Sequence, residues 1–418
     1  MNKNLLRVLR IFLIIVFILL AVIHGFLLYF GISNVIGGIL FILLTGIAVF
    51  YIAKKTAGIL SIKRAVKTNI RLLLITIFLL WAGVELFLRF GISKYANYSE
   101  KNGLFLYISP YTVKETLWYS PWQKNVHVYK PYHSKIINLK EYKYKLETNS
   151  EGLRDGEFST FKPVDEYRII GLGDSFTEGR GASADSTWVK HLKRILQQDS
   201  GKQKITAINA GISGSDPFFE YALLKERLLK YQPDLVIIAI NNSDIYDIII
   251  RGGIERFQEE GCIKYRSGPK WEWLYATSYI FRHIIHDIFE YDRMFLQHHE
   301  KAIETKQALA QIYSCILKFD ELAKENGFDL LIVFHPMEYE VLEKEYAFGD
   351  LLTQISSETN IMVLDLLDYY INEEKLSSEN SSEYYWKTDR HHNSKGYRIF
   401  AKGVGKKLLN LYLTEHTQ

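Results

Sequence analysis

The chain has 418 residues, 48% of them hydrophobic, and a formal charge of only +4 from 51 Lys and Arg against 47 Asp and Glu. That length holds two or three domains, or one domain with membrane segments, and basic residues that are spread through the chain or gathered beside its apolar runs give no case for a nucleic-acid partner. Its two cysteines, Cys262 and Cys315, have no metal-ligand spacing and point to neither a disulfide scaffold nor a zinc site, leaving one bridge or two buried thiols.

In chain order, the first feature is an apolar run from Ile11 to Gly31, long enough to cross a bilayer and preceded by Lys3, Arg7 and Arg10. A cleaved signal peptide would carry a shorter apolar core and a small-residue cleavage site. Further runs follow at Val35 to Ala53 and Leu72 to Phe90. His24 and Glu85 are their polar exceptions. A carboxylate at membrane depth is costly, so Glu85 is expected near the interface or against a neighbouring helix rather than in a proton relay. The loop from Lys54 to Arg71 holds Lys54, Lys55, Lys63, Arg64, Lys67 and Arg71, whereas Ile32-Ser-Asn34 is uncharged. Positive charge stays inside, so the N-terminus is expected in the cytoplasm and everything after about residue 92 outside it, behind three transmembrane helices. The expectation is a multi-pass membrane region (1–92) carrying an extracytoplasmic domain.

Residues 93–165 are dense in Tyr and Trp, and Lys140-Glu-Tyr-Lys-Tyr-Lys-Leu-Glu147 alternates like a half-exposed strand with Tyr142, Tyr144 and Leu146 on one side. This lead-in is expected to form a β-rich apron on the domain that follows. From residue 166 to 418, strands alternate with helices, the signature of a parallel sheet covered on both faces. Ile169 to Leu172 is the first buried strand, ended by Gly173-Asp-Ser175, and Trp188 to Leu196 an amphipathic helix. Lys204 to Asn209, Asp234 to Ile240, Phe328 to Phe334 and Asn360 to Asp365 are the next four strands. Helices are expected over Phe218 to Tyr231, Ile303 to Asn326 and Ser394 to Leu413. Residues 245–300 break this rhythm and read as an aromatic, partly helical insertion over the site.

Four loops carry chemistry. A serine at the carboxyl end of a strand in an open α/β sheet stands where such folds place ligands, and that is the position of Ser175. Asn209-Ala-Gly-Ile-Ser-Gly214 follows the second strand, and Gly214 can bring a bare N–H close to a substrate oxygen. Asn241-Asn-Ser-Asp244 follows the third strand and offers a side-chain amide; donors of both kinds suit a developing oxyanion. Asp389-Arg-His391 precedes the last helix. A histidine can take the serine proton while the aspartate fixes its tautomer. Each loop alone is compatible with a polar turn, but four in this order are hard to ascribe to turn chemistry. His298-His-Glu300 places adjacent histidines on different helix faces, which fits a solvated face better than a metal site. His335-Pro-Met-Glu338 reads as a structural turn after the fourth strand.

Gly173-Asp-Ser-Phe176, Asn209-Ala-Gly-Ile-Ser-Gly214, Asn241-Asn-Ser-Asp244 and Asp389-Arg-His-His-Asn393 resemble the four blocks of the SGNH (GDSL) hydrolase superfamily. The likeness covers roughly residues 148–412 and includes the lead-in Thr148-Asn-Ser-Glu-Gly-Leu-Arg-Asp155. It implies a flavodoxin-like three-layer α/β sandwich, with Ser175 as nucleophile, His391 as base and Asp389 as its partner. It further implies an oxyanion hole from the Ser175 and Gly214 backbone N–H groups and an asparagine amide, without metal or cofactor. The third block lacks the family's glycine and inserts Ser243, so either Asn241 or Asn242 is the donor; Asn242 is the choice made from sequence. His392 also departs from the family pattern. The expected activity is ester hydrolysis on O-acyl, chiefly acetyl, groups of surface or secreted glycans. The alternatives are O-acyl transfer to such a glycan, with a membrane partner supplying the acyl donor, and a non-catalytic glycan-binding membrane protein.

Overall fold

Five largely apolar runs pair side by side, the central ones buried on both faces, because a buried strand can satisfy its backbone only through neighbouring strands. The computed structural model describes residues 43, 46, 47, 51, 64–91, 118, 119, 128–199, 203–251, 253, 269–292 and 295–415. The chain begins there with helix α1 (Arg64–Phe90), then short strands β1 (Trp118–Tyr119) and β2 (Val128–Tyr129), and a hairpin of β3 (Ser134–Asn138) and β4 (Lys143–Glu147). Strand β5 (Glu166–Gly173) leads into α2 (Ser175–Glu178) and α3 (Trp188–Asp199). Strand β6 (Lys204–Asn209) is followed by α4 (Pro217–Leu223), and β7 (Leu235–Ile240) by α5 (Asn242–Arg251). Helices α6 (Glu272–Thr277), α7 (Tyr279–His283) and α8 (His298–Asn326) precede β8 (Asp329–Phe334). Helices α9 (Glu338–Glu343) and α10 (Gly349–Glu358), strand β9 (Met362–Asp365) and the long α11 (Ser394–Glu415) complete the order.

The sheet order is β6-β5-β7-β8-β9, all parallel. Counting these strands as they occur in the chain, that is 2-1-3-4-5, a doubly wound arrangement whose direction of travel reverses at β5. The three loops leaving β5, β6 and β7 therefore meet at one edge. Along β7 the side chains alternate: Leu235, Ile237 and Ala239 join Trp188, Leu192, Phe400 and Val404 in one core, and Val236, Ile238 and Ile240 face the other side, equally buried. The Trp188 and Phe400 rings lie parallel with centroids 4.8 Å apart, locking α3 against α11. The expected strands are present within a few residues, and this α/β sheet fits the SGNH fold.

The described chain divides into two compact units, Met1–Thr112 with Tyr265–Ala302, and Val113–Lys264 with Ile303–Gln418. The second contains the sheet. The first contains α1, in which Leu72–Phe90 is 19 residues long with a mean hydropathy of 2.1, enough to cross a membrane. The other two spans expected from hydropathy, Ile11 to Gly31 and Val35 to Ala53, fall almost wholly outside the described residues. Among the described residues one candidate span stands, and the expectation of three transmembrane helices is not supported. Residues 265–302, read from sequence as part of an insertion over the site, group with α1. Glu85 is fully buried against α7, which agrees with a packed position rather than a relay. Cys315 is buried in α8, and Cys262 lies outside the described residues.

The lead-in segment braces the turn that carries the serine. Asn149 accepts the N–H groups of Glu151 and Leu153 and so shapes a tight turn. That turn presents Arg154, whose buried guanidinium donates to the carbonyls of Glu178 (3.0 Å), Gly179 (2.8 Å) and Ala182 (2.6 Å), the segment just beyond Ser175. Asp155 accepts the N–H of Asn209 at 2.7 Å and pairs with Lys190, tying β6 to α3. Replacing Arg154 with alanine would orphan three buried carbonyls and is expected to destabilise the domain by on the order of 3 kcal/mol. Urea denaturation of the full-length protein in detergent measures this; an unchanged midpoint would show the guanidinium to be dispensable.

Candidate active site

Strand β5 ends at Gly173, whose φ of +148° and close approach to Thr177 leave no room for a side chain: a Cβ there would lie 2.1 Å from Thr177 Oγ1. Asp174 then caps α2, accepting the Phe176 N–H at 2.9 Å, and the chain turns so that Ser175 opens the helix at the carboxyl edge of the sheet. Ser175 is 8% exposed. Its Oγ lies 2.7 Å from His391 Nε2, and His391 Nδ1 lies 2.5 Å from Asp389 Oδ1. With Nδ1–H donating to the carboxylate, Nε2 is the lone pair that faces the serine hydroxyl. Such a relay can take the proton of an attacking serine and hold the imidazolium that results. The Phe176 ring stacks on the His391 ring, with centroids 4.5 Å apart, and forms the floor of the imidazole's seat.

Other elements hold the acid in place. The second oxygen of Asp389 accepts Arg180 Nη2 at 3.1 Å, and Arg180 Nε donates to the Tyr142 hydroxyl at 3.1 Å. Burial by itself raises the pKa of Asp389. The hydrogen bond to His391 and the charges of His391 and Arg180 outweigh that and hold its carboxyl well below the usual range. From the β3–β4 hairpin, the Glu141 carboxylate accepts the backbone N–H groups of Thr388 (2.8 Å) and Asp389 (3.0 Å). The hairpin alternation is as expected, with Tyr142, Tyr144 and Leu146 buried, and Tyr142 packs on Trp386 at 5.1 Å. After the histidines, Asn393 caps α11 by accepting the N–H groups of Lys395 and Gly396. Gly396 is required by contact: a Cβ there would lie 2.2 Å from the Tyr384 carbonyl and 2.3 Å from His392 Nδ1.

His392, whose role the sequence leaves open, is a core residue. It is fully buried between Tyr370, Tyr385 and Tyr397, and its Nε2 meets the Tyr370 hydroxyl at 3.2 Å. Burial pushes its pKa well below the ordinary value, so it stays neutral. His335, at the end of β8, is buried beneath Phe176 and is likewise lowered by burial, to about 4.

The second and third loops flank the serine as the sheet order requires. Ile212 N–H donates to the Gly173 carbonyl at 3.0 Å, and the Asn209 amide donates to the Thr177 carbonyl at 2.8 Å, so the loop runs along the turn that carries Ser175. Gly214 follows with φ +75°. The Asn241 amide donates to Asp174 Oδ2 at 3.0 Å, beside the nucleophile. The Asn242 amide donates instead to Glu340 Oε1 at 2.9 Å. Of the two asparagines, Asn241 therefore lies against the turn that carries Ser175, whereas Asn242 already starts α5 and its side chain turns toward α9. Two buried acids brace these loops: Asp244 accepts the Asn241 N–H at 2.8 Å, and Glu220 accepts the Ser215 hydroxyl at 2.7 Å. Burial first, then repulsion from neighbouring carboxylates, raises the pKa of both well above the ordinary range.

Arg180 and Glu141 were not found from sequence. Arg180 stands five residues after Ser175 and could have been suspected as a charge next to a catalytic motif; Glu141, far upstream on a hairpin, gives no local signal. Among the described residues no group of three or more His, Cys, Asp and Glu is placed to hold a metal ion. His298 and His299 are both exposed at the start of α8.

Residues 172–399 match the model of the GDSL-like lipase/acylhydrolase family. No curated protein matches the chain. Among solved structures, the chain is similar to a two-domain esterase active on acetylated mannans, crystallised with mannopentaose, at 16% identity and a TM-score of 0.37, covering 59% of this chain and 49% of that one. It is also similar to an acetyl xylan esterase (15% identity, 57% of this chain and 97% of that one, TM-score 0.35). A third is a catalytic mutant of an acetylxylan esterase from Geobacillus stearothermophilus (19% identity, 58% and 93%, TM-score 0.35). The chain thus spans about half the length of the two-domain esterase.

Proposed function

This chain belongs to the GDSL-like lipase/acylhydrolase family, and from that premise we propose that it is a serine esterase working through Ser175, His391 and Asp389. The observation that carries the reading is the unbroken path from Ser175 Oγ through His391 to Asp389, at 2.7 and 2.5 Å. Ser175 Oγ attacks the ester carbonyl carbon while its proton passes to His391 Nε2. The carbonyl oxygen becomes an oxyanion, met by the backbone N–H groups of Ser175 and Gly214 and the side-chain amide of Asn241. As the tetrahedral intermediate collapses, His391 returns the proton to the departing alkoxide, which leaves as an alcohol. A water then loses its proton to His391 and attacks the acyl-enzyme carbonyl; collapse frees the carboxylic acid and re-forms the Ser175 hydroxyl. Arg180 acts on this sequence through Asp389 by holding it charged, and Glu141 by fixing the backbone that carries it.

The substrate class proposed is an O-acetyl ester on a surface or secreted glycan, with α1 as a membrane anchor. The test is the purified full chain with an acetylated oligosaccharide, a long-chain acyl ester and a free oligosaccharide acceptor. Release of acetate at a rate indifferent to acceptor, with little cleavage of the long-chain ester, is expected. Acceptor-dependent turnover that yields acetylated sugar and little acetate would replace hydrolysis by transfer. Preference for the long chain would move the substrate to lipids.

A further inference from the structure

The polar exception in the apolar helix has partners that the esterase reading does not use. Glu85 lies about a turn and a half before the end of α1 at Phe90. Its buried carboxylate accepts Ser278 Oγ–H at 2.9 Å and the backbone N–H groups of Tyr279 at 2.7 Å and Ile280 at 3.1 Å. It therefore caps α7 from a different helix. One turn further on, Arg89 donates to the Thr277 carbonyl at 3.0 Å and to Glu85 at 3.3 Å. The Arg89 and Arg282 guanidinium groups both lie over the Tyr279 ring, at 4.5 and 4.2 Å. All of these residues belong to one compact unit. The cluster fastens α6 and α7 to the last turns of the helix that can cross a membrane.

The chain continues from α7 through the wide turn Ile284–Ile288. Ile285 is buried there, but Ile288 and Phe289 are 68% and 52% exposed. Counted along a helix from Ile280, these two lie about 12–14 Å further on in axial rise. They are thus within reach of the layer in which the end of a spanning helix sits. The last turns of α1 also expose apolar surface, at Leu86, Phe87 and Phe90. The exposed charges beside Ile288 and Phe289 are Asp287 and Glu290, both acidic. Contact with lipid would therefore be apolar, with no electrostatic preference for anionic headgroups.

We propose that residues 271–289 form a membrane-surface collar, fastened through Glu85 to the end of the spanning helix, with Ile288 and Phe289 inserted into the interfacial layer of the same bilayer. The collar rests on the reading of α1 as a membrane anchor. The test is photo-crosslinking of the full chain in phosphatidylcholine vesicles, with and without phosphatidylglycerol. Benzoylphenylalanine replaces Phe289, Leu79 in mid-helix, or Phe161, which is 75% exposed in the sheet-containing unit. Lipid adducts are expected at 79 and 289, the latter on the order of tenfold above the yield at 161 and unaffected by phosphatidylglycerol. Glu85→Ala is expected to lower the adduct at 289 several-fold, with esterase activity and the adduct at 79 unchanged. Adducts at 79 but none at 289 would leave the anchor standing and remove the collar. A cross-link from 289 to a second copy of the chain would overturn it in favour of self-association. Absence of adducts at both 79 and 289 would remove anchor and collar together.

Discussion

Replacing Ser175 or His391 with alanine is expected to lower kcat for ester hydrolysis by on the order of 10⁴–10⁶, and replacing both should cost little more than either alone. The non-additivity follows from the geometry. Ser175 Oγ has no other base within the described contacts to take its proton, and His391 Nε2 is the one nitrogen left over once Nδ1 is committed to Asp389. Asp389→Asn is expected to cost on the order of 10⁴, because an amide N–H facing Nδ1 forces the proton onto Nε2 and removes the lone pair that the serine needs. Steady-state kinetics on an acetyl ester, with denaturation midpoints as a control for folding, measure all three. Ser175→Ala with undiminished turnover would end the serine mechanism and leave a binding protein.

Asn241→Ala is expected to lower kcat by about 10²–10³ with a smaller change in KM, as for loss of a donor that acts only on the developing oxyanion. The reason for preferring this residue is its position, with its amide against Asp174 beside Ser175. Asn242→Ala should instead act through Glu340, whose buried carboxyl would lose its amide donor. Its expected signature is lower stability with kcat reduced severalfold at most. If Asn242→Ala shows the large kcat loss and Asn241→Ala does not, the assignment reverses to the one drawn from sequence.

That asparagine marks the point where local pattern stops being informative. Both residues follow a buried strand and both can donate. What separates them is one step of backbone, which turns one amide toward Asp174 and the other toward α9. The two adjacent histidines pose the same problem. The spacing from Asp389 singles out His391, but only packing shows that His392 is a neutral core residue seated between tyrosines. Arg180 and Glu141 were missed for a different reason: each meets Asp389 across a large gap in the chain, and no periodicity records such a meeting. Residues 245–300 read as an interruption of the strand–helix rhythm, and only tertiary contacts decided that the part from residue 265 groups with α1.

The pattern of the chain by itself points to the five strands, their parallel arrangement and the four chemical loops, because apolar runs and the turn chemistry of Gly, Asp and Asn are local properties. The order of the strands is not local. It places β5 between β6 and β7, and so brings Ser175, Gly214 and Asn241 to a single edge, with α11 delivering Asp389 and His391 to the same place. Tertiary structure alone also decided which polar groups would be neutral and which charged. Burial keeps His392 and His335 neutral, while Asp389, drawn to Arg180 and His391, keeps its charge, since the free energy of an ionised group is set by neighbours that the sequence does not place beside it.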